Sequence, residues 1–554
     1  MNITHQQTLP RSQFADYGHR MKKTSQTSNS SLRVIALLIA VLFLTPAVVT
    51  SAEHNSQEQN SGDLAAKEQM RPNILLFLVD DMGLMDTSVP FLTDELGKPK
   101  RYPLNEFYRT PNMVRLASQG TRYSQFYANS VCSPTRTSLM NGQFSARHHT
   151  TQFISPERKN TGGFGPAQWK WEGFDVADIT LPKLLSAAGY QTIHAGKAHF
   201  GPIPHPAANP LNIGFDVNIA GCAFGQPGSY LGTKNYGHGI KNRQKRAVPG
   251  LEKYHGTKTH LTEALTIEMK AAISKAVSNE QPFFAYMSHY AVHSPFEADD
   301  RFVQAYRQGH STRAAAFASL IEGMDKSLGD LLDHLDEIGV AENTLVLFLG
   351  DNGTDAPIGN PHDVACSAPL RGKKATHYEG GMRVPCIASW AKRSSQNSLQ
   401  KQNPISASRI VVDGFGSVCD IPATILDIAD VAWPDKHPCD GMSLLPSLRG
   451  ESLPADRTFL MHFPHSHRSS YFTAFRQGEL KLVYHYPVNA KDKAGKGFPN
   501  VELFNLREDP TEGSNLADSH KELMQGMFSA MSRALEEANA QYPVHDGQEL
   551  KPSL

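Results

Sequence analysis

Residues 73–81 read NILLFLVDD, an apolar run that ends in two adjacent carboxylates, Asp80 and Asp81. A near-continuous apolar run of this length is typical of a β-strand that is buried on both faces of a sheet. Three further runs show the same pattern, at 190–195 (YQTIHA), 282–288 (PFFAYMS) and 344–349 (TLVLFL). Apolar residues at helical spacing precede the last run, and Gly339 is predicted to end that helix. Alternating strand and helix signals predict a layered α/β domain.

Each of the four runs is followed at its carboxyl end by side chains that titrate or bind metals. In chain order these are Asp80 and Asp81, Lys197 and His199, His289 and His293, and Asp351 and Asn352. In open α/β sheets, ligands bind beyond the carboxyl ends of the strands, so we expect one site with carboxylates, lysines, histidines and a cation. The alternative is that these residues are turn formers and solvated loop residues. His289 is left outside the predicted site because it could simply cap its strand.

The oxygen-bearing side chains of this set indicate the kind of metal. Asp80, Asp81, Asp351 and Asn352 all offer hard oxygen ligands. Such ligands suit Ca²⁺, with Mg²⁺ as the alternative, better than Zn²⁺, which prefers Cys and His. Either pair alone is more often a turn, but two pairs that both follow β-runs favour a shared ion.

The length and charge balance of the chain narrow its class. At 554 residues it is too long for one small core and suits a large α/β domain with a smaller partner. Lys plus Arg and Asp plus Glu both number 54, so no overall field directs the chain to nucleic acid or to an anionic membrane. We expect no nucleic-acid partner, and local charge must provide any recognition of anions.

Residues 1–52 are predicted to be a leader that contains a signal peptide. The apolar run 34–49 follows basic residues, and the small residues up to Ala52 resemble a cleavage site. An uncleaved membrane anchor is the alternative, but the run is short for a span and contains Pro46. We expect a secreted or periplasmic protein with no stable membrane association after cleavage. Residues 53–70 are polar and are predicted to be a disordered spacer.

Six cysteines are few for an exported chain of this size. Cys366 with Cys386, and Cys419 with Cys439, lie close enough in sequence to form disulfides, although sequence alone does not establish connectivity. No CxxC spacing indicates a zinc or redox motif. Cys132 differs from the others because of the residues around it.

Cys132 begins the segment 132–136 (CSPTR), which continues as 137–142 (TSLMNG). Composition predicts only ~0.02 chance occurrences of Cys-x-Pro-x-Arg in the chain, so the motif is informative. The segment resembles the signature of the type I sulfatases, which belong to the alkaline phosphatase superfamily. The resemblance covers most of residues 72–520 and includes the segments 80–83 (DDMG), 196–199 (GKAH), 351–353 (DNG), 369–374 (PLRGKK), 378–381 (YEGG) and 502–506 (ELFNL).

Departures from the family pattern are small and remove no titratable group. Ala198, Lys373, Ala375 and Asn141 replace residues that are common in the family. The adjacent Lys373 and Lys374 leave open which lysine points into the site, and alignment of the motif favours Lys374.

The resemblance implies a fold and a domain organisation. It implies an α/β fold with a large mixed β-sheet sandwiched by helices, as in alkaline phosphatase, in a catalytic domain at 71–455. A smaller C-terminal α+β domain at 456–554 should contain an antiparallel sheet, and the apolar spacing there predicts a final helix at about 521–538.

The resemblance also implies a reaction, the hydrolysis of sulfate esters on an external substrate that is expected to be a carbohydrate. In the family, a formylglycine-generating enzyme oxidises the motif cysteine, here Cys132, to formylglycine (3-oxoalanine), and the aldehyde hydrate is the nucleophile. Such a diol can collapse to the aldehyde and expel sulfate, whereas an ester of an ordinary serine has no such route. A dication beside the diol would lower its pKa and neutralise a sulfate oxygen.

The resemblance implies a role for each candidate residue. The metal should be held by Asp80, Asp81, Asp351, Asn352 and the modified Cys132. Arg136 should donate a hydrogen bond to the formylglycine, and Lys197 and Lys374 should bind the sulfate oxygens in the transition state. His293, which would also contact substrate, is the candidate general acid for the leaving alcohol and His199 the candidate base, although the two roles could be exchanged.

Two further groups of residues could border the same cleft. We hypothesise that a C-terminal cluster reaches the cleft and binds substrate hydroxyls or a second sulfate, although polar packing between domains is the more common fate of such residues. This cluster is His462, His465, His467 and Arg468. His148, His149, Trp169 and Trp171 could also lie there, but core packing explains them equally well.

Two other functions fit parts of the same pattern. A formylglycine-dependent phosphonate or phosphodiester hydrolase would need the same residues, and relative rates on aryl sulfates and aryl phosphodiesters would distinguish it. An inactive glycan-binding relative is disfavoured because every required ionisable group is present. A metal-assisted cysteine nucleophile without oxidation is the least favoured reading.

Overall fold

The computed structural model describes residues 71–157, 160, 163–488 and 497–554. The predicted leader at 1–52 and the predicted spacer at 53–70 lie outside these residues. None of the helices in the described part of the chain combines the length and the apolarity that a membrane crossing requires.

An eight-stranded mixed sheet forms the centre of the large domain. The strands of this domain are β1 (Asn73–Val79), β2 (Thr121–Tyr123), β3 (Phe126–Tyr127), β4 (Gln191–Gly196), β5 (Val217–Ile219), β6 (Phe283–Ser288), β7 (Thr344–Gly350), β8 (Cys386–Trp390), β9 (Arg409–Val411) and β10 (Gly416–Ser417). The sheet has the order β5-β4-β6-β1-β7-β8-β2-β9. The five strands from β5 to β7 are parallel, whereas β8 runs antiparallel to both of its neighbours. β3 and β10 form a separate parallel pair.

Side-chain alternation along β1 feeds two hydrophobic cores, one on each face of the sheet. Leu75, Phe77 and Val79 pack in one core, and the intervening residues pack in the other. Helices cover both faces, so the sheet is sandwiched as predicted. The α-helices of the large domain are Pro103–Phe107, Pro111–Gln119, Cys132–Asn141, Ser145–His148, Leu181–Ala187, Leu261–Ser278, Thr312–Glu337, Glu379–Met382, Ser398–Gln402, Asp420–Ile428 and Leu445–Arg449.

Short 3₁₀ turns fill several of the connections. They are Pro206–Ala208, Pro210–Ile213, Gly232–Gly237, Gln244–Arg246, Glu252–Tyr254, Val303–Tyr306 and Ala341–Asn343. All seven lie between β4 and β7, where the loops are long.

A second, smaller sheet forms near the C-terminus. Its strands are β11 (Thr458–Phe463), β12 (Phe472–Gln477), β13 (Leu480–His485) and β14 (Val501–Asn505), and they pair antiparallel in sequence order. Leu460, Leu482 and Leu503 on one face pack against Met531 and Leu535 of the helix Lys521–Glu537. A final hairpin joins β15 (Val544–His545) to β16 (Gln548–Glu549).

The other face of the small sheet packs on the large domain. Phe459, Met461 and Phe463 of β11 share a buried core with Val131 and Ala375. Val131 precedes Cys132, and Ala375 follows Lys374. The small sheet therefore supports two segments that carry predicted site residues.

The structure confirms the predicted fold class, a mixed α/β sandwich with a smaller C-terminal sheet. β1 has the predicted bounds, β6 and β7 differ from the predicted runs by one residue at one end, and β4 is shifted by one residue at both ends. The long helix ends at Glu337, and Gly339 adopts φ 75°, the left-handed conformation that glycine tolerates best. The boundary between residues 455 and 456 stays a prediction.

The suggested disulfides do not form. All six cysteines lie within the described residues, and each is a free thiol. Cys366 and Cys386 are buried in the two different cores of the sandwich, so the central sheet separates them. Proximity in sequence was misleading here because the chain crosses the sheet between the two residues.

Candidate active site

The register of the parallel strands brings the predicted site residues to one edge of the sheet. Val79 pairs with Gly350, Leu78 with Ser288 and Ser288 with Gly196, so β1, β4, β6 and β7 end at the same level. Backbone hydrogen bonds continue one residue further: Asp351 N donates to Val79 O at 3.0 Å, and Lys197 N donates to Ser288 O at 2.7 Å. Residues that lie up to 293 positions apart in the chain consequently touch here.

Cys132 lies at the first position of a helix that is buried along its whole length. The helix starts after Val131, which is extended, and ends at Gly142 in a left-handed conformation. The Cys132 side chain is nearly inaccessible, at 3% exposure. Arg136 follows one helical turn later and therefore projects from the same face of the helix.

Arg136 joins three strand ends through its guanidinium group. Nε and Nη2 donate to Asp351 Oδ2 at 3.1 and 2.8 Å, and Nη1 donates to Lys197 O and to Ser288 Oγ at 2.7 Å each. The side chain is completely buried. A planar donor with several fixed N–H groups suits this task, whereas a lysine could not make these contacts together.

Two lysines contact the carboxylates. Lys197 Nζ lies 2.7 Å from both oxygens of Asp80. Lys374 Nζ lies 2.5 Å from Asp81 Oδ1, which also accepts a hydrogen bond from Asn352 Nδ2 at 2.9 Å. Lys374 is thus the inward lysine, as the alignment favoured, because Lys373 Nζ donates to Ala356 O at 2.8 Å instead.

The donor set at this edge fits a hard dication. Ligand oxygens of Asp80, Asp81 and Asp351 all lie within 4.8 Å of one another. Asp81 Oδ2 and Asn352 Oδ1 are buried and accept no hydrogen bond from any described residue. Buried oxygens without partners are costly unless a cation satisfies them, and an oxygen-only set of this kind is typical of Ca²⁺ or Mg²⁺ sites.

The carboxylates respond differently to burial. Burial raises the pKa of Asp80 well above its ordinary value, although Lys197 opposes the shift. Burial acts in the same direction on Asp81 and Asp351, but their cationic neighbours outweigh it, Lys374 above all for Asp81 and Arg136 for Asp351, and both pKa values fall. The formal charges of the three carboxylates therefore balance those of Arg136, Lys197 and Lys374, so these side chains together carry no net formal charge.

Both predicted histidines belong to the site. His293 Nε2 lies 3.6 Å from Asp81 Oδ2, and burial lowers the pKa of His293 to about 4. His199 donates from Nε2 to Ile154 O at 2.6 Å, and its buried Nδ1 has no hydrogen-bond partner among the described residues. Burial lowers the pKa of His199 well below its ordinary value. Both imidazoles are therefore neutral near pH 7, and His199 keeps a free nitrogen that can accept a proton.

A cavity of about 300 Å³ opens onto this group. Of its lining residues, Cys132, His199 and Lys374 are buried and His293 is partly buried. Phe153, Asp355 and Arg468 are also partly buried, and Arg246 and His467 are exposed where the cavity meets the surface. Arg468 forms two contacts to the Asp355 carboxylate, at 2.5 and 3.0 Å. The small domain therefore supplies part of the cavity wall.

Two of the four residues in the C-terminal cluster reach the cavity. His467 and Arg468 line the cavity, but His462 is buried between Thr473 Oγ1 and Gln541 O, and His465 between Thr151 Oγ1 and the Trp169 ring.

The other residues considered for the cleft have structural contacts instead. Trp169 is a core residue, Trp171 packs against His205, and His148 and His149 line a different cavity. His289 points to the opposite face of the sheet, where Nε2 lies 2.9 Å from Ser327 Oγ.

Sequence reasoning missed several residues that build the site. Ser288 accepts from Arg136 and donates to Lys197 O at 2.7 Å, and Ser133 Oγ accepts from Ile154 N at 3.1 Å beside His199. Asp355 and Arg246 were also missed. The only signal for Ser288 was its position as the last residue of a strand, and Arg246 carried none because it comes from a distant loop.

Comparisons with known proteins agree with this geometry. The family model described as Sulfatase matches residues 72–431. N-acetylgalactosamine-6-sulfatase of Canis lupus familiaris is 30% identical over 404 residues, which cover 70% of this chain and 68% of that protein. A sulfatase of Formosa agariphila is 26% identical over 499 residues, covering 80% of this chain and 84% of that protein.

A solved structure supports the fold. The crystal structure of Ps i-CgsB, also solved in complex with k-i-k-neocarrahexaose, matches with a TM-score of 0.66 at 23% identity and covers 87% of this chain and 96% of that one. The match of the family model over most of the large domain, together with the relative at 30% identity, establishes the family. The chain belongs to the sulfatases, a family of sulfuric ester hydrolases.

Proposed function

We propose that this chain removes sulfate from an external, sulfated carbohydrate with the help of a divalent cation, Ca²⁺ by preference, and that Cys132 is oxidised to formylglycine. The observation that carries the proposal is the position of Cys132. Its buried thiol lies at the inner end of the cavity, and the charges of Lys197, Lys374, Asp80 and Asp351 all act on it. Burial raises the pKa of this thiol, which argues against an unmodified thiolate nucleophile.

The residues around Cys132 would hold a dication beside the modified side chain. When present, the hydrated formylglycine supplies a nucleophilic hydroxyl and a dication lowers the pKa of that diol. Asp80, Asp81 and Asp351 would hold the dication, since their ligand oxygens lie within 4.8 Å of one another. Asn352, whose buried Oδ1 accepts no hydrogen bond from any described residue, would be a further ligand. Arg136 keeps Asp351 in place through two hydrogen bonds and prevents the carboxylates from separating.

Two cations are positioned for the sulfate group. Lys197 and Lys374 lie beside Cys132 and would bind sulfate oxygens as negative charge spreads onto them. Because both ammonium groups are buried, water screens them little, and each contact should contribute more than a surface ion pair would.

The two histidines would move the protons. His293 lines the cavity and would protonate the leaving oxygen; an anionic ester beside it would raise its pKa toward the working range. His199, with its free Nδ1, would take a proton from residue 132.

A nitrophenyl sulfate needs no acid to leave, so His293→Ala should lose far less activity on it than on an alkyl sulfate, whereas His199→Ala should lose activity on both. The reverse pattern would exchange the roles.

The substrate class rests on the relatives and on the cavity. One relative is named for a sulfated amino sugar and one structure holds a neocarrahexaose. The cavity wall here combines an aromatic ring, Phe153, with polar side chains such as Arg246 and Arg468, a combination that suits a hydroxylated and charged ligand. The predicted signal peptide would bring the protein to such substrates outside the cell.

Mass spectrometry of the tryptic peptide 123–136 tests the modification. The active protein should carry an aldehyde in place of the Cys132 thiol, and Cys132→Ala should be inactive while still folding. A fully active preparation with an intact thiol would refute the mechanism.

Parallel assays on an aryl sulfate and an aryl phosphodiester would show whether sulfate is the preferred group, and inactivity on both after confirmed oxidation would favour a glycan-binding role.

A further inference from the structure

A second cluster of metal-ligand side chains lies where the small sheet meets the large domain. His377 comes from the segment that follows Lys374, His485 ends β13, and Glu502 lies on β14. One ligand atom from each lies within 4.8 Å of the other two, and all three side chains are buried. Glu502 Oε2 is 2.8 Å from His485 Nε2 and 3.1 Å from His377 Nε2.

Hydrogen bonding alone does not account for this cluster. Although His377 Nε2 lies close to Glu502, it makes no hydrogen bond with any described residue, so a buried ring nitrogen points at the shared carboxylate without correct alignment. The outer nitrogens are held: His377 Nδ1 lies 2.8 Å from Ser469 Oγ, and His485 Nδ1 contacts Ser470 Oγ. Partners of this kind on the far nitrogen are typical of metal-binding histidines, because they fix the ring orientation.

The charge of the cluster also calls for a cation. Within the described residues, Glu502 forms ion pairs only with the two histidines. All three side chains are buried, and burying a carboxylate is costly. A dication at the meeting point of the three ligand atoms would offset that cost.

We propose that His377, His485 and Glu502 bind a zinc ion. Two imidazole nitrogens and one carboxylate oxygen are a zinc ligand set, in contrast to the oxygen-only set of Asp80, Asp81 and Asp351. The surroundings are apolar: the Phe498 ring stacks on His485 with centroids 4.9 Å apart, and Phe472 packs against His377. Such a shell limits water access and favours retention of a bound ion.

The position of this ion gives it a structural role. His377 lies three residues after Lys374, and Ser469 and Ser470 directly follow Arg468. Zinc would therefore tie both segments to the small sheet and hold two residues of the cavity wall in place. The ion would act by positioning and would not contact substrate.

Metal analysis of the full-length protein tests the proposal. The protein should be prepared without a histidine tag and dialysed against metal-free buffer before elemental mass spectrometry. We expect about one zinc ion per chain in the wild type. The zinc content per chain should be at least tenfold lower in His377→Gln and in His485→Gln. His462→Gln is the matched control, since His462 is equally buried in the same sheet and is bonded to Thr473 Oγ1 and Gln541 O.

A thermal readout separates this site from the active site. After removal of metals, added zinc chloride should raise the Tm of the wild type and of Asp351→Asn, which disrupts only the oxygen cluster, but not the Tm of His485→Gln. If wild-type protein carries no zinc and zinc leaves its Tm unchanged, the cluster is only a polar contact and the proposal is wrong. Zinc retained in both histidine variants, or a Tm response abolished by Asp351→Asn alone, would overturn it equally. None of these outcomes depends on sulfatase activity.

Discussion

At the scale of the residue, buried ion pairs organise the candidate active site. Arg136, Lys197 and Lys374 are each buried and each contact a carboxylate at 2.5–2.8 Å. Pairs of this kind cost desolvation, so they are retained when they hold a defined geometry, which here is the convergence of Asp80, Asp81 and Asp351.

Lys374 and Lys373 provide a matched pair for testing sulfate binding. Lys374→Ala removes an ammonium group that lines the cavity, and we expect kcat/KM on an aryl sulfate to fall by ~10²–10³. Lys373→Ala should cost less than ~10-fold, because Lys373 contacts Ala356 O and Asp355 outside the inner cavity. Steady-state kinetics of both variants, with circular dichroism to confirm folding, checks this. Equal losses of kcat/KM in the two variants would show that the position of Lys374 beside Asp81 gives it no special role in sulfate binding.

At the scale of the element, strand alternation decides which residues enter the site. Ser288 and His289 are adjacent, yet Ser288 Oγ contacts Arg136 whereas His289 faces Ser327 on the long helix. Successive side chains of an extended chain point to opposite faces, so only one of the two can face the helix that carries Cys132. His289 therefore lies away from Cys132, although it directly follows the same apolar run as Ser288.

The turn that follows β1 should make stability depend on pH. Asp86 Oδ2 accepts a hydrogen bond from Gly83 N at 2.9 Å, and burial raises the pKa of Asp86 to about 7. The unfolded value is about 3.9, so between these values the folded state holds a proton that the unfolded chain releases. The contribution of Asp86 to the unfolding free energy is then complete below pH ~4 and declines by up to about 1.4 kcal/mol per pH unit as pH rises toward 7.

Asp86→Asn tests this linkage, because asparagine resembles the protonated acid and does not titrate. Urea unfolding between pH 5 and 8 should show a weaker decline of stability with pH in the variant than in the wild type. Asp94→Asn, at an exposed turn carboxylate, is the control and should keep the wild-type slope. Identical slopes for Asp86→Asn and wild type would mean that Asp86 is ionised throughout.

At the scale of the whole molecule, the small sheet completes the site as well as covering a hydrophobic face. It packs on Val131 and Ala375, which adjoin Cys132 and Lys374, and it contributes His467 and Arg468 to the cavity. A catalytic domain without residues beyond 455 would therefore expose apolar surface and lose part of its cavity wall.

A buried lysine links the small sheet to a helix of the large domain. Lys481 Nζ contacts Glu379 Oε1 at 3.0 Å and Glu512 Oε1 at 2.6 Å, and all three side chains are buried. Lys481→Met leaves Glu512 without its cation, and we expect a loss of about 3–5 kcal/mol in unfolding free energy, measured by denaturant titration. Lys392→Met, which breaks an exposed pair with Asp336, should leave the unfolding midpoint unchanged. A negligible effect at Lys481 would mean that this buried ion pair contributes little to holding the domains together.

The contribution of the small domain to substrate binding is also testable. His467→Ala and Arg468→Ala should each raise KM for the sulfated glycan about 10-fold with little change in kcat, because they line the outer cavity. A small aryl sulfate should be unaffected. Arg147→Ala, which removes a similar two-pronged pair with Asp440 elsewhere, is the control. An unchanged KM for the glycan would remove these residues from substrate recognition.

Local patterns in the chain were enough to predict the four strands and to place candidate ligands at their carboxyl ends. A buried parallel strand needs a continuous apolar run, and parallel strands share an edge at their carboxyl ends, so 73–81, 190–199 and 344–353 predict a common site without knowledge of the fold. The spacing of Cys132 and Arg136 likewise specifies one helical face.

Contacts between distant segments were decided only by tertiary packing. Three outcomes depend on how the small sheet docks and on which face of a sheet each segment covers. They are whether Lys373 or Lys374 points inward, whether Cys366 meets Cys386, and which of His462 and His467 reaches the cavity. The cluster of His377, His485 and Glu502 has no signature in the chain for the same reason. His377 lies in a loop of the large domain, whereas His485 and Glu502 lie on adjacent strands of the small sheet. Only the burial of the apolar interface between them brings their polar atoms together.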